Sequence, residues 1–231
     1  MQPVLPLPRL AVIDLDGTMV DSVPDLAWCV NGMLRELGMP ERSESSVRRW
    51  VGNGVDRLVE RALVDDIEGR PEPQLRARAL PIFMRLYAEH GATDSRLYPG
   101  VEEGLDFLQK RGAHLACVTN KAEQFTLPLL EAMGLRSRFE LVVSGDTLPE
   151  RKPSPRPLLY AAEYFRVPPS AAVMIGDSRS DVTAARAAGF GCVCVSYGYN
   201  HGIDIRAEKP DVVIDSLAEL PGVFAEDQSL P

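Results

Sequence analysis

The chain has 231 residues, of which 45% are hydrophobic and 25% charged, and its 25 basic and 33 acidic residues give a net charge of −8. This length corresponds to about one and a half ordinary domains, and the hydrophobic content suits a packed core rather than a disordered chain. Such an acidic chain is a poor candidate for binding nucleic acid or an anionic membrane. We therefore expect one domain with a large insertion, without nucleic-acid or membrane partners, as a monomer or a homodimer.

Short apolar segments rich in Val, Ile and Cys recur along the chain and predict β-strands. They lie at 9–14, 113–119, 140–146, 171–177, 191–197 and 211–214. Helical patterns that end at a glycine occupy the intervals at 101–112, 121–134 and 178–189. Near-continuous apolar strands that alternate with helices are typical of a doubly wound, Rossmann-like α/β fold with a parallel sheet.

A long interruption separates the first two predicted strands. Between about residues 20 and 97 no strand is predicted, and amphipathic patterns instead indicate helices at 22–38, 43–52, 54–67 and 73–91. The sequence therefore predicts two units, an α/β core formed by 1–19 and 98–231 and an inserted helical domain formed by 20–97.

The cysteines and the first residues bear on the compartment. No CxxC pair occurs, and buried, reduced thiols are expected at all four cysteines: Cys29, Cys117, Cys192 and Cys194. Prolines interrupt residues 1–8, which do not resemble a secretory leader, and no apolar segment approaches the ~18 residues of a membrane span. The cytoplasm is the expected location.

Two carboxylates follow the first predicted strand. Asp14 and Asp16 are two residues apart, so that they leave the strand on the same side, and Gly17 permits a sharp turn. Converging carboxylates repel one another unless a cation or a proton lies between them. The pair predicts a cation-assisted site, although acidic residues in a solvated turn or at a helix cap would have the same sequence.

Polar residues also follow three later strands, where ligands bind in open α/β sheets. Thr119 and Asn120 can donate to a phosphoryl oxygen, or simply cap a helix. Lys152 lies in a stiff proline-containing loop that suits a phosphate, although most lysines are on the surface. Asp177 and Asp181 could ligate a hard cation or serve as helix caps.

The order of these motifs resembles the haloacid dehalogenase superfamily over essentially the whole chain outside the insertion. Within it, the chain is similar to the bacterial phosphoglycolate phosphatases, in DGTMVDS (16–22), VGNG (51–54), VERAL (59–63), VTNKAEQF (118–125), RKPSPRPLL (151–159), GDSRSD (176–181) and YGYN (197–200). Two apolar departures are Ile13, where Phe is usual, and Met19, where Leu is common. The insertion matches the cap domain of that family in position and size.

The resemblance implies a Mg²⁺-dependent phosphatase that acts through an aspartyl-phosphate. By that resemblance Asp14 is the nucleophile and Asp16 is the general acid and base. Asp14, Asp177 and the backbone carbonyl of Asp16 would bind Mg²⁺. Asp181 would orient Lys152 or a metal-bound water. The phosphoryl oxygens would be held by Thr119, Asn120 and Lys152.

The substrate is expected to be a small phosphate ester, 2-phosphoglycolate. Its carboxylate could bind at Gly52, Asn53 and Gly54, which precede a predicted helix whose N-terminus favours anions, although these residues could be only a turn. A phosphatase of another small ester such as a sugar phosphate, or a phosphomutase, would share the core motifs. A dehalogenase or a non-catalytic binding protein fits the motifs less well.

Overall fold

A six-stranded parallel sheet forms the centre of the molecule. The computed structural model describes residues 5–225, so that residues 1–4, part of the segment examined for a leader, lie outside it. The strands are β1 (Leu10–Ile13), β2 (His114–Val118), β3 (Leu141–Val143), β4 (Ala172–Gly176), β5 (Gly191–Val195) and β6 (Val212–Ile214). Their order is β3-β2-β1-β4-β5-β6, with all neighbours parallel.

Both faces of this sheet are buried. On β1, Ala11 and Ile13 belong to one hydrophobic cluster, whereas Leu10 and Val12 belong to a second cluster on the other side. This alternation is the two-residue period of a strand, and burial of both faces explains why the segment is apolar throughout. The predicted α/β fold with a doubly wound parallel sheet is confirmed.

Four helices lie between the first two strands of the sheet, close to the predicted ranges. They are α1 (Val23–Glu36), α2 (Glu44–Trp50), α3 (Val55–Val64) and α4 (Pro73–His90). Their inward faces share a third hydrophobic cluster, which includes Trp50, Phe83 and Tyr87 and also receives Phe125 and Tyr199 from later in the chain. The helical insertion thus packs around its own core and also touches the residues that surround the sheet.

The remaining helices flank the sheet. They are α5 (Val101–Lys110), α6 (Glu123–Ala132), α7 (Arg156–Phe165), α8 (Arg179–Ala188) and the short α9 (Leu220–Val223). The sequence patterns predict no helix at α7, because the prolines that precede it indicate a stiff loop. Pro157 lies in the first turn of α7, where a missing N–H and a fixed φ are compatible with a helix.

The expectation that residues 20–97 contain no strand is wrong at both ends of that range. Val20–Asp21 and Arg96–Leu97 form a two-residue antiparallel ladder at the two places where the chain passes between the sheet and the inserted helices. A backbone hydrogen bond of 3.0 Å from Tyr98 N to the Met19 carbonyl extends it. A strand of two residues is too short to produce a periodic sequence pattern.

Three smaller findings complete the fold. Leu5–Pro6 pairs in parallel with Phe224–Ala225. All four cysteines are buried and free of disulfides, as predicted. Within residues 5–225, no helix combines the length and the apolar character needed to cross a membrane.

Candidate active site

Adjacent strands of the sheet end beside one another at one edge. Ile13 pairs with Cys117 on one side and with Ile175 on the other. The residues that follow these strand ends, Asp14, Thr119 and Asp177, therefore emerge together at the carboxyl edge of the sheet, where ligands bind in open α/β folds. They line one cleft between the sheet and the inserted helices.

Asp14 is a buried carboxylate with two donors. Its Oδ1 accepts a hydrogen bond of 2.8 Å from Leu15 N and lies 2.9 Å from Lys152 Nζ. Burial raises the pKa of Asp14 to about 7, and the negative charge of Asp181 adds to this, against the lowering effect of Lys152. The carboxylate is thus held in place without being fully neutralised.

Lys152 is not on the surface, since only 3% of it is exposed. Its ammonium group lies 2.9 Å from Asp14 and 2.7 Å from Asp181, and it donates a hydrogen bond of 2.7 Å to the Val118 carbonyl. Burial alone would lower the pKa of Lys152, but the two carboxylates raise it above its usual value. Lys152 is a fixed cation that links three separate segments of the chain.

Asp177 and Asp181 complete the acidic side of the cleft. Asp177 accepts hydrogen bonds from Tyr199 N (2.6 Å) and from Thr18 Oγ1 (3.2 Å). Asp181 lies in the first turn of α8, where its Oδ2 accepts from Ser178 N and Oγ in a capping box. Burial, and then the charges of Asp181 and Asp14, raise the pKa of Asp177 well above its usual range. The capping role and the site role of Asp181 are therefore compatible.

These carboxylates form a donor set that suits a hard divalent cation. Asp14, Asp177 and Asp181 each present an oxygen, and the three oxygens lie within 4.8 Å of one another. Burial, and to a lesser extent the mutual repulsion of these carboxylates, raises the pKa values of Asp14 and Asp177, and a bound cation would offset both effects. Oxygen ligands are those that Mg²⁺ prefers, so that the residues present fit the predicted group.

Asp16 has partners that the sequence did not predict. Its carboxylate lies 3.0 and 3.1 Å from Lys121 Nζ and accepts a hydrogen bond of 2.5 Å from Ser22 Oγ. Lys121 is buried and follows β2 by only three residues. Two features of the sequence could have identified Lys121 as a site residue. It is one of only four lysines in the chain, and it lies two residues after Thr119.

Thr119 and Asn120 both line the cleft. Thr119 N bonds to the Val143 carbonyl and thereby continues the sheet, while its hydroxyl accepts from Lys121 N. Asn120 Nδ2 donates to the Lys152 carbonyl at 2.9 Å and to the Gly52 carbonyl at 3.4 Å. Asn120 thus connects the lysine loop to the inserted helices.

The inserted helices form the opposite wall of the cleft. Gly52 and Gly54 line it, both with a positive φ, and α3 begins at Val55 immediately afterwards. Asn53, between them, is not among the lining residues. Tyr87 is buried in the helical core and also lines the cleft, with its ring 5.0 Å from Lys121 Nζ.

Comparison with known proteins agrees with this arrangement. A family model for haloacid dehalogenase-like hydrolases matches residues 11–195. The chain belongs to this family. It is 56% identical to phosphoglycolate phosphatase of Nitrosococcus oceani, over 96% of this chain and 99% of that protein. It is 49% identical to phosphoglycolate phosphatase of Nitrosospira multiformis, over 93% of this chain and 95% of that protein.

A solved structure extends the agreement to three dimensions. The crystal structure of a predicted phosphoglycolate phosphatase from Haemophilus somnus superimposes with a TM-score of 0.87 at 38% identity, covering 93% of this chain and 97% of that one. The family predicted from the sequence is confirmed. The relatives support the predicted enzyme class, a phosphoric monoester hydrolase.

Proposed function

We propose that the protein is a Mg²⁺-dependent phosphatase that hydrolyses 2-phosphoglycolate to glycolate and phosphate. The observation that carries the proposal is the convergence of Asp14, Asp16, Lys152 and Asp177 on one cleft, in a chain about half identical to proteins named phosphoglycolate phosphatase. A nucleophile, an acid–base group, a fixed cation and a cation-binding carboxylate are the components that phosphate monoester hydrolysis needs.

The first step is transfer of the phosphoryl group to Asp14. A carboxylate oxygen of Asp14 attacks phosphorus, and the bond between phosphorus and the leaving oxygen breaks with its electron pair remaining on oxygen. Asp16, held by Lys121 and Ser22, gives a proton to that leaving oxygen, so that glycolate departs as an alcohol. The product on the protein is an aspartyl-phosphate at Asp14.

The second step regenerates the enzyme. Asp16, now without its proton, accepts a proton from a water whose oxygen attacks phosphorus, and the bond from phosphorus to Asp14 breaks. Lys152 remains beside Asp14 throughout, because Asp181 and the Val118 carbonyl hold its ammonium group in place. Its positive charge stabilises the phosphoryl oxygens in both steps.

Asp14, Asp177 and the backbone carbonyl of Asp16 are proposed to hold Mg²⁺, and phosphatases of this superfamily generally use a divalent metal. When bound, the ion would supply positive charge against the phosphoryl oxygens and reduce the repulsion between an anionic nucleophile and an anionic substrate. Asp181 is proposed to orient Lys152, whose ammonium group it contacts.

The test is a substrate panel with Mg²⁺ and with EDTA. It compares 2-phosphoglycolate with sugar phosphates for the wild type, for Asp14→Asn and for Glu131→Gln, an exposed carboxylate on α6 that serves as the matched control. We expect 2-phosphoglycolate to rank first, EDTA to suppress turnover, and only Asp14→Asn to abolish it. A higher kcat/KM for several sugar phosphates would replace the proposed substrate, and full activity of Asp14→Asn would refute the nucleophile.

A further inference from the structure

One buried cation of the cleft has no role in the chemistry proposed above beyond holding a carboxylate. Lys121 is 8% exposed, and its ammonium group lies 3.0 and 3.1 Å from the two oxygens of Asp16. The ring of Tyr87, from α4 of the inserted domain, covers it at 5.0 Å. The sheet and the inserted helices thus place a positive charge beside the group that meets the leaving oxygen.

The other cations of the cleft are committed elsewhere. Among the described residues that line it, the lysines and arginines are Lys121, Lys152 and Arg179. Lys152 is enclosed by two carboxylates and a backbone carbonyl, on the side where the phosphoryl group is transferred. The Arg179 side chain is 77% exposed and directed at Glu208. Lys121 is therefore the cation that is both buried and adjacent to the leaving-group side.

The connectivity of the substrate brings a second negative charge to this position. In 2-phosphoglycolate one methylene carbon carries both the leaving oxygen and the carboxylate. When the leaving oxygen contacts Asp16, the carboxylate therefore lies close to Lys121, which also contacts Asp16. Lys121 has three ammonium donors and no acceptor, so that it can contact Asp16 and a substrate carboxylate together.

We propose that Lys121 is the specificity-determining residue that binds the carboxylate of the leaving group and so selects phosphate esters of small hydroxy acids over neutral esters. The inference rests on the proposed function and assigns the part of the site that distinguishes its substrate. It differs from recognition by the Gly52–Gly54 turn, which offers backbone dipoles but no formal charge. Burial under Tyr87 keeps water from competing for the ammonium group, which strengthens its attraction for an anion.

The test compares two substrates that differ only in the carboxylate. Wild type, Lys121→Met and Lys121→Arg are assayed with 2-phosphoglycolate and with 2-hydroxyethyl phosphate, whose leaving oxygen is also a primary alcohol. The readout is the ratio of the two kcat/KM values, because a general loss through Asp16 lowers both equally. We expect Lys121→Met to reduce the ratio roughly 10- to 100-fold, the range for losing a hydrogen bond to a charged group, and Lys121→Arg to retain most of it.

Two results would overturn the proposal, and only the second would also overturn the proposed function. If wild type prefers 2-phosphoglycolate and the ratio is unchanged in Lys121→Met, then Lys121 only positions Asp16 and the carboxylate is recognised elsewhere. If wild type itself prefers 2-hydroxyethyl phosphate, both the proposed substrate and the role of Lys121 are wrong. Circular dichroism checks folding, and Lys121→Gln, which keeps a hydrogen-bond donor but no charge, replaces the Met variant if that one does not fold.

Discussion

Replacement of Lys152 by methionine tests the electrostatic organisation of the site. Methionine fills the space of the side chain but leaves Asp14 and Asp181 as buried carboxylates without their cation. Breaking a buried ion pair by removal of one partner costs about 3–5 kcal/mol. For a protein of this size each 1 kcal/mol lowers Tm by about 2–4 °C, so that Lys152→Met is expected to lose about 6–20 °C in EDTA at about pH 8.

The pH dependence of that loss is the diagnostic feature. The pKa of Asp14 in the folded protein is already raised from 3.8 to about 7, and removal of Lys152 raises it further. A raised carboxyl pKa means that the folded state binds the proton more tightly than the unfolded state, so that protonation relieves the penalty as the pH falls. Because Asp14 of the wild type is itself protonated below its pKa, the difference in Tm between the variant and wild type should shrink mainly as the pH falls from about 8 to about 6.

The assay is thermal unfolding followed by circular dichroism at several pH values. Lys110→Met is the matched control, because the Lys110 side chain is 79% exposed and pairs with Asp106 only at the surface. A surface pair contributes at most about 1 kcal/mol, or about 4 °C here. A loss in Lys152→Met no larger than in Lys110→Met, or one that does not vary with pH, would refute the reasoning.

Three further changes have expected outcomes. Asp14→Asn removes the buried carboxyl whose pKa is raised to about 7, so that it should raise Tm in EDTA at about pH 8 but not at about pH 4; a lower Tm at pH 8 in thermal scans would contradict this. Gly17→Ala adds a Cβ against the Asp177 carboxylate at a φ of +84° and should weaken Mg²⁺ binding in calorimetry, whereas unchanged affinity would count against this account. Tyr199→Phe leaves the buried Ser22 N–H without its acceptor and should cost about 1–3 kcal/mol in urea unfolding, where a loss below about 0.5 kcal/mol would disagree.

The sheet was predictable because its strands are buried on both faces, which makes each strand a continuous apolar segment. The positions of Asp14, Thr119 and Asp177 followed from the same pattern, since all three come directly after a strand. Burial of Lys152 was harder to foresee, because the prolines beside it predict a stiff loop but do not show whether its lysine is buried. Its three partners come from other segments of the chain.

The contacts of Lys121 could not be predicted from the nearby sequence. Its contact with Asp16 spans 105 residues, and its cover, Tyr87, comes from the inserted helices. Neither relationship leaves a periodic signal near position 121. The ladder between Val20–Asp21 and Arg96–Leu97 was not predicted for a related reason. Two residues are too few to show strand alternation, and their partners are distant in sequence.

The linkage of separate segments through Lys152 has a consequence for synthesis of the chain. Asp14, Val118 and Lys152 are made before Asp177, which directly follows the fourth strand, and before Asp181, which lies in the helix after it. Until that strand docks beside the first, Lys152 has one carboxylate instead of two, and the cluster of Asp14, Asp177 and Asp181 is incomplete. Pairing across so much of the chain forms late, because the entropy of closing long loops must first be overcome. A nascent chain that stops short of residue 177 therefore carries the proposed nucleophile, Asp14, without Asp177 and Asp181, the carboxylates that complete the cluster around it.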